Sequence, residues 1–538
     1  AVAAMGLSKA DEMTNAIKLL SAPMILAGVG IFLSIIGIFL VRTKDGASMK
    51  ELMASLMRGV MGSSILILVA AYFVCKHLLS GIVDANGVEL LNPMGIFGAI
   101  CVGMIAGLVI GKATEIYTSY DYKPTKEVAK NAETGPGTVI ISGLAEGMKS
   151  TWMALATVIV AIMAAYMLSG GSTSALLGLY GVGMAAVSML ATLGITLATD
   201  AYGPIADNAG GNAEMSGQAP EVRERTDALD SLGNTTAAMG KGFAIGSAAL
   251  TALALLAAYV EEVRIGIVRE GATTITATMP KGETAPVGTA NYLGAGKLAI
   301  VETKLGEDGT PEKDKEGKLT NATTTKTYMV LTNGGKLKTL ARGDVKATVV
   351  TASLRENDYV ATITLPSGDA ANPLTAKAVP ASKASLRQYM DFYGVNLMNP
   401  KVLCGLFAGV LLVFLFSALT MKAVGRAAMA MVHEVRRQFR EIPGILEGTG
   451  KPDYAKCVEI STVGAQKEMI LPSLLAICVP VAVGLVLDVS GVIGLLAGGL
   501  ACGFAMAIFM SNAGGAWDNA KKFIETGEHG GKGSDCHK

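Results

Sequence analysis

Apolar and polar positions divide this chain into long hydrophobic runs separated by short charged intervals. Nine runs reach the length a helix needs to cross a bilayer core, and they lie at 19–41, 58–80, 93–113, 138–168, 174–199, 236–260, 402–421, 467–487 and 490–512. That length is about 20 residues for about 30 Å of hydrocarbon. The fourth and fifth runs exceed it, which predicts helices that tilt or project into water. A large buried helical core is the competing reading, and the number of runs argues against it.

The basic residues alternate with the runs. If the first helix runs inward, the loops on one side hold Arg42, Lys44, Lys50 and Arg58, then Lys123, Lys126 and Lys130, then Arg223 and Arg225. The next loop on that side carries Arg426, Arg436, Arg437, Arg440, Lys451 and Lys456. The opposite short loops, near 81–92, 169–173 and 488–489, contain neither Lys nor Arg. Short loops rich in Lys and Arg are retained on the cytoplasmic side, so the basic loops are expected there, in a multi-pass protein of the cell membrane.

Between the sixth and seventh runs the period changes. From 264 to 388 the chain is rich in Thr, Lys, Gly and Asp. Thr273–Met279, Thr323–Thr332, Val345–Leu354 and Tyr359–Leu365 show β-branched, alternating patterns, with turns such as Asn333-Gly334-Gly335 between them. A small β-rich domain on the outer face is expected, since long translocated segments escape the charge rule. The expected fold class is an all-α polytopic membrane helix bundle with this domain inserted. Helices with cytoplasmic loops occupy 1–263, the insertion 264–388, and further helices with a cytoplasmic loop 389–538.

Composition sharpens this picture in three respects. Of 538 residues 51% are hydrophobic and 17% charged, and the mean hydropathy is +0.46, which favours membrane over solution. A net charge of +1 provides no basic field for nucleic acid. Cys75, Cys101, Cys404, Cys457, Cys478, Cys502 and Cys536 are scattered without zinc spacing and read as reduced, packed thiols. The chain starts at Ala1 and stops at His537 and Lys538 within a Gly-rich polar stretch, so it is expected to be part of a longer protein.

Candidate chemistry gathers at the cytoplasmic ends of the runs. Asp200-Ala-Tyr-Gly-Pro204-Ile-Ala-Asp207-Asn208-Ala-Gly210-Gly211-Asn212-Ala-Glu214 joins the fifth and sixth helices. In a continuous helix Asp200 and Asp207 share a face, and carboxylates so placed suit magnesium, which takes one or two of them plus water and phosphate oxygens. Gly210 and Gly211 would admit a polyphosphate closely. A solvated helix end with a Gly turn is the plainer alternative. The sixth helix opens with Asp227, Asp230, Asn234, Thr235, Thr236 and Lys241. Lys241 either balances phosphate charge or snorkels to the interface. Glu115 ends the third helix, and Asp518, Lys521 and Lys522 end the ninth, where Asp518 and Lys522 also read as a surface i,i+4 pair. Four such clusters at one depth argue for function, because intramembrane ionisable groups are expensive. No G-x-x-x-x-G-K-[ST], H-E-x-x-H or G-x-S-x-G motif is present.

The 200–211 segment, Leu229-Asp-Ser-Leu-Gly-Asn-Thr-Thr-Ala-Ala-Met-Gly-Lys-Gly-Phe-Ala-Ile-Gly-Ser, Glu434-Val-Arg-Arg-Gln-Phe and Ser511-Asn-Ala-Gly-Gly-Ala-Trp-Asp-Asn-Ala-Lys-Lys resemble the membrane-bound, ion-pumping inorganic pyrophosphatases. The resemblance covers the chain apart from the insertion. It implies a homodimer of sixteen-helix subunits that hydrolyses magnesium pyrophosphate at a cytoplasmic funnel and passes Na+ or H+ through a gate below. It further implies that Asp207 and Asn234 hold Mg2+, that Lys241, Lys521 and Lys522 contact pyrophosphate, and that Asp200, Glu115 and Asp518 occupy catalytic funnel positions. Ala237 and Gly240 stand where the family's potassium-dependent members have them, which implies that K+ must be supplied, and sodium pumping is the expectation. The family's Asp-rich motifs, a phosphate-binding Lys, the acidic gate residue and a final Gly-Asp-x-x-Gly-Asp segment are not in this sequence, so part of the active site is expected outside it. A potassium-dependent proton pump, a secondary ion transporter without hydrolysis and a non-catalytic scaffold are the rival readings.

Overall fold

The computed structural model describes residues 12–44, 46–83, 89–280, 283–304, 322–331, 342–345, 348–355, 358–365, 374–445 and 447–538. The turn expected at Asn333-Gly334-Gly335 lies outside them. The helices are α1 (Glu12–Ile38), α2 (Met49–Leu78), α3 (Pro93–Thr118), α4 (Lys123–Lys130), α5 (Pro136–Leu168), α6 (Ala175–Leu190), α7 (Leu193–Met215) and α8 (Pro220–Thr278), then α9 (Leu386–Tyr393), α10 (Pro400–Glu441) and α11 (Tyr454–Glu525). Among the described residues, seven helices are long and apolar enough to cross a membrane, or eight with the bent pair α6 and α7 taken as one span. The 72-residue α11 carries both of the last two predicted runs, separated at Asp488, whose φ of 58° interrupts the helix. This is a polytopic membrane helix fold with a small antiparallel sheet.

The chain divides into two compact units, Ala1–Leu255 with Leu500–Lys538, and Leu256–Gly499, so the boundaries fall inside α8 and α11. In the first unit the helices start where the sequence caps them. Ser48 accepts from the Glu51 amide while Glu51 accepts from the Ser48 amide, and Asn92 with Pro93 opens α3. Cores such as Ile67, Ala71, Ile96, Ile100, Met104 and Met184 tie α2, α3 and α6 together. The single long fifth helix expected from the pattern is instead bent by 47° between α6 and α7. Ser188 and Thr192 donate their hydroxyls back to the carbonyls of Ala185 and Met189 at the break, a pattern that bends helices. Asp200 to Glu214 is helical in α7, so the Gly turn expected at Gly210-Gly211 is not formed. The Gly210 carbonyl instead accepts from Arg223.

In the second unit, α8 continues to Thr278, which overturns the strand expected at Thr273–Met279. Ile275 there packs against Leu293, Ala299 and Val301, so contact with a sheet face overrides the β-branched preference. The sheet holds β1 (Ala290–Gly294), β2 (Lys297–Thr303), β3 (Thr323–Val330), β4 (Gly343–Asp344), β5 (Thr348–Arg355), β6 (Asp358–Leu365) and β7 (Leu374–Pro380) in the order β4-β1-β2-β3-β7-β6-β5. Tyr292, Leu298, Ile300, Tyr328, Ile363 and Ala378 share one core, while the alternate residues Leu293, Ala299, Val301, Met329 and Val379 belong to other clusters, the period of two that sheets impose. Met329 and Val379 meet Val260 and Ile267 of α8, and Tyr389 of α9 donates to the Ala381 carbonyl at 2.8 Å. Burial pushes the Tyr389 phenol up from its usual range. α10 and α11 approach backbone to backbone, since a Cβ on Gly405 would lie 2.0 Å from the Gly491 carbonyl oxygen.

Candidate functional site

All ten residues singled out by the sequence lie in the first unit, on α3, α7, α8 and α11. Gly203 and Gly233 set the contact between α7 and α8, since a Cβ on Gly233 would meet the Gly203 Cα at 2.6 Å. The Tyr202 hydroxyl donates to the Leu229 carbonyl at 3.2 Å beside it. Pro204 has no amide hydrogen, which leaves the Asp200 carbonyl without its helical donor. α8 and α11 are joined by Asn519, which is fully buried and reaches Thr118, Ser231, Asn234 and Thr235.

Above that node lies a ladder of charges. Lys522 Nζ is 2.7 Å from Asp230 Oδ2, 3.3 Å from Glu525 Oε2 and 3.7 Å from Asp227 Oδ1. Arg223 links Asp227 at 2.9 Å to Glu214 at 3.2 Å, and Glu214 also receives Lys532. His537 lies 2.8 Å from Glu525, so the segment after α11 is anchored to the same network. The expected surface pair of Asp518 with Lys522 is therefore replaced by Lys522 with Asp230 across the helix contact. Lys521 is exposed and only 4.0 Å from Glu525. Asp230 was named at the start of the sixth helix without a role, and Asn519 and Glu525 were given none; the i,i+3 spacing of Asp227 with Asp230 and of Lys522 with Glu525 was the signal that each set shares one helix face.

Asp207 and Asp518 have no hydrogen-bond or ion-pair partner among the described residues, and Asp518 lies within charge range of Asp207, Asp230, Lys521 and Lys522. With the Asn234 side-chain oxygen they make a set of hard oxygen donors. Among the described residues no three His, Cys, Asp or Glu side chains are placed to hold a metal ion by themselves. Their chemistry is of the kind Mg2+ takes, one or two carboxylates with the rest of the shell left to waters and substrate oxygens. Glu115 is buried and committed elsewhere, accepting from Lys112 at 2.8 Å and from the Tyr122 hydroxyl at 2.8 Å.

A second group surrounds a pocket of about 130 Å³ lined by Thr196, Asp200, Gly240, Lys241 and Phe243. Lys241 is exposed and has no ion-pair partner among the described residues. A Cβ on Gly240 would stand 3.7 Å from the Asp200 Cβ, and Ala237 precedes Lys241 by one helical turn on α8. The pocket is thus a site where one lysine and one carboxylate face a common space.

The sequence model of the family described as inorganic H+ pyrophosphatase matches residues 1–538. The chain belongs to that family. A protein of Bacteroides thetaiotaomicron named "Putative K(+)-stimulated pyrophosphate-energized sodium pump" is 49% identical over 523 residues, 97% of this chain and 57% of the relative. A protein of Clostridium tetani with the same name is 39% identical over 96% of this chain and 56% of its own length. A protein of Moorella thermoacetica named "K(+)-insensitive pyrophosphate-energized proton pump 2" is 36% identical over 96% of this chain and 57% of its own length. The chain thus spans somewhat more than half the length of these pyrophosphatase relatives.

Proposed function

We propose that the chain is part of a K+-stimulated pump that hydrolyses inorganic pyrophosphate and moves Na+ out of the cytoplasm. The observation that carries this is the joining of α3, α8 and α11 at Asn519, which sets Asp518 and Asn234 beside the Lys522 network, with Asp207 within charge range of Asp518, in a pyrophosphatase chain. Bound Mg2+ would offset phosphate charge and polarise the bridging oxygens. Lys522, held by Asp230, and the free Lys241 supply fixed and mobile positive charge to a phosphate anion. Asp200 and Asp518 add carboxylates to the funnel, while the resemblance puts the carboxylates that polarise the attacking water outside this chain. Moving one charge costs about 2.3 kcal/mol per 100 mV, so cleavage of one anhydride suffices for about one monovalent ion.

Ala237 and the names of the relatives from Bacteroides thetaiotaomicron and Clostridium tetani support potassium stimulation and sodium as the cargo. With Ala at 237 no ammonium replaces the potassium charge. On this reading the basic loops face the cytoplasm, which the alternation of Lys and Arg supports, the sheet lies on the outer face, and the subunit works as a homodimer. The test is hydrolysis by the full-length protein in sealed vesicles with Mg2+, while K+ and Na+ are varied and radiosodium uptake and lumenal pH are followed together. Potassium-stimulated hydrolysis with sodium uptake is expected. Acidification alone would assign the proton instead, and absent hydrolysis in folded protein would remove the reading.

A further inference from the structure

Asn519 uses its side-chain amide completely. Its Nδ2 donates to the Thr118 carbonyl at 2.7 Å and to the Thr235 hydroxyl at 2.8 Å, while its Oδ1 accepts from the Ser231 hydroxyl at 3.1 Å and from Asn234 Nδ2 at 3.3 Å. A primary amide offers two N–H donors and two acceptor directions, so none is left for a ligand. The orientation of this group is also fixed. The Thr118 carbonyl can only accept, so turning the amide over would set one carbonyl against another in a site with no exposure to solvent.

That fixed acceptor determines the orientation of its neighbour. Asn519 Oδ1 can only accept, so Asn234 must present its NH2, its one donor end, to it. The Asn234 Oδ1 is then directed away and has no partner among the described residues. An asparagine free to turn would offer either end to an approaching ion, and its NH2 would repel a cation. We propose that Asn519 is a positioning residue: it holds the Asn234 amide with the oxygen outward, as a hard donor for a divalent cation. This rests on the reading of Asn234 as a Mg2+ ligand. Asp518, one position earlier on α11, is exposed where Asn519 is buried, so the two divide the tasks of facing the ion and anchoring the helix contact.

The test uses purified full-length protein and Mg2+ alone, with Mg2+-dependent thermal stabilisation as the readout and the Mg2+ dependence of hydrolysis as a second. Asn519→Ala is expected to weaken Mg2+ binding about 10- to 100-fold, the usual effect of losing an outer-shell partner, with less change in rate at saturating Mg2+. Ser231→Ala, which removes the other bond to the same oxygen, should leave binding within about threefold. In an Asn234→Ala background the Asn519→Ala effect should vanish, because a residue acting through another is not additive with it. Asn519→Gln, which displaces the amide by a methylene, carries the same expectation and serves where the alanine variant fails to assemble. Unchanged Mg2+ binding in the Asn519 variants, with binding lost in Asn234→Ala, overturns the positioning role alone. An Asn519→Ala effect that persists undiminished in the Asn234→Ala background also overturns it. Unchanged binding in Asn234→Ala overturns the metal reading beneath it.

Discussion

Lys522 and Lys241 come from motifs of similar character and end in opposite surroundings. Lys522 is 11% exposed and lies among Asp230, Asp227 and Glu525. Lys241 is exposed and borders an open pocket with Asp200. A cation that enters a helix seam must bring its counter-charges, and such a pair contributes position more than stability. A cation left at the rim keeps its hydration and its rotamer freedom until an anion arrives. One lysine is therefore set in place by the fold, and the other is recruited by the substrate.

The substitution expected to separate them most is Lys522→Ala. It strands Asp230 as a buried charge, and removal of one partner of such a pair costs about 3–5 kcal/mol. Thermal denaturation in detergent should show that loss together with lost hydrolysis, and unchanged stability would erase the contrast. Lys241→Ala should leave stability within about 0.5 kcal/mol. Its effect should fall on the KM for pyrophosphate, raised about 10- to 100-fold for one charge-assisted contact; a large drop in melting temperature instead would make it structural. Ala237→Lys places an ammonium one turn from Lys241, and hydrolysis with and without K+ should then become equal. A rate that still rises with K+ would detach residue 237 from the potassium effect. Lys521→Ala should do least to the fold, about 0–1 kcal/mol for an exposed pair, and a larger loss would show that the 4.0 Å separation from Glu525 understates the contact.

Several features were legible in the chain because they depend on near neighbours. The apolar runs appear as helices, and the patterns at Thr323–Thr332 and Tyr359–Leu365 coincide with β3 and β6. β1, β2, β4 and β7 were not expected: Ala290–Gly294 and Leu374–Pro380 contain few β-branched residues, Gly343–Asp344 is two residues long, and Lys297–Thr303 has a continuous Leu-Ala-Ile-Val run without alternation. Thr273–Met279 was misread because it looks like a strand locally, yet it continues α8 and packs Ile275 on the sheet. The bend at Ala191 and Thr192 also escaped notice, because hydroxyl back-bonding does not alter the apolar pattern.

By itself the sequence determined the membrane character, the sheet interrupting the helices and, through its long motifs, the family. These follow from hydropathy, period and residue order, which are properties of neighbouring positions. Only the tertiary structure decided which carboxylate Lys522 takes, that Asn519 rather than a catalytic residue joins three helices, and that Gly210 serves Arg223 rather than a turn. From the sequence, the i,i+4 neighbour Asp518 was the partner that spacing offered Lys522. The choice belongs to helix packing: the Gly203–Gly233 contact joins α7 to α8, the Asn519 bonds join α8 to α11, and the Lys522 ion pair meets across the second seam.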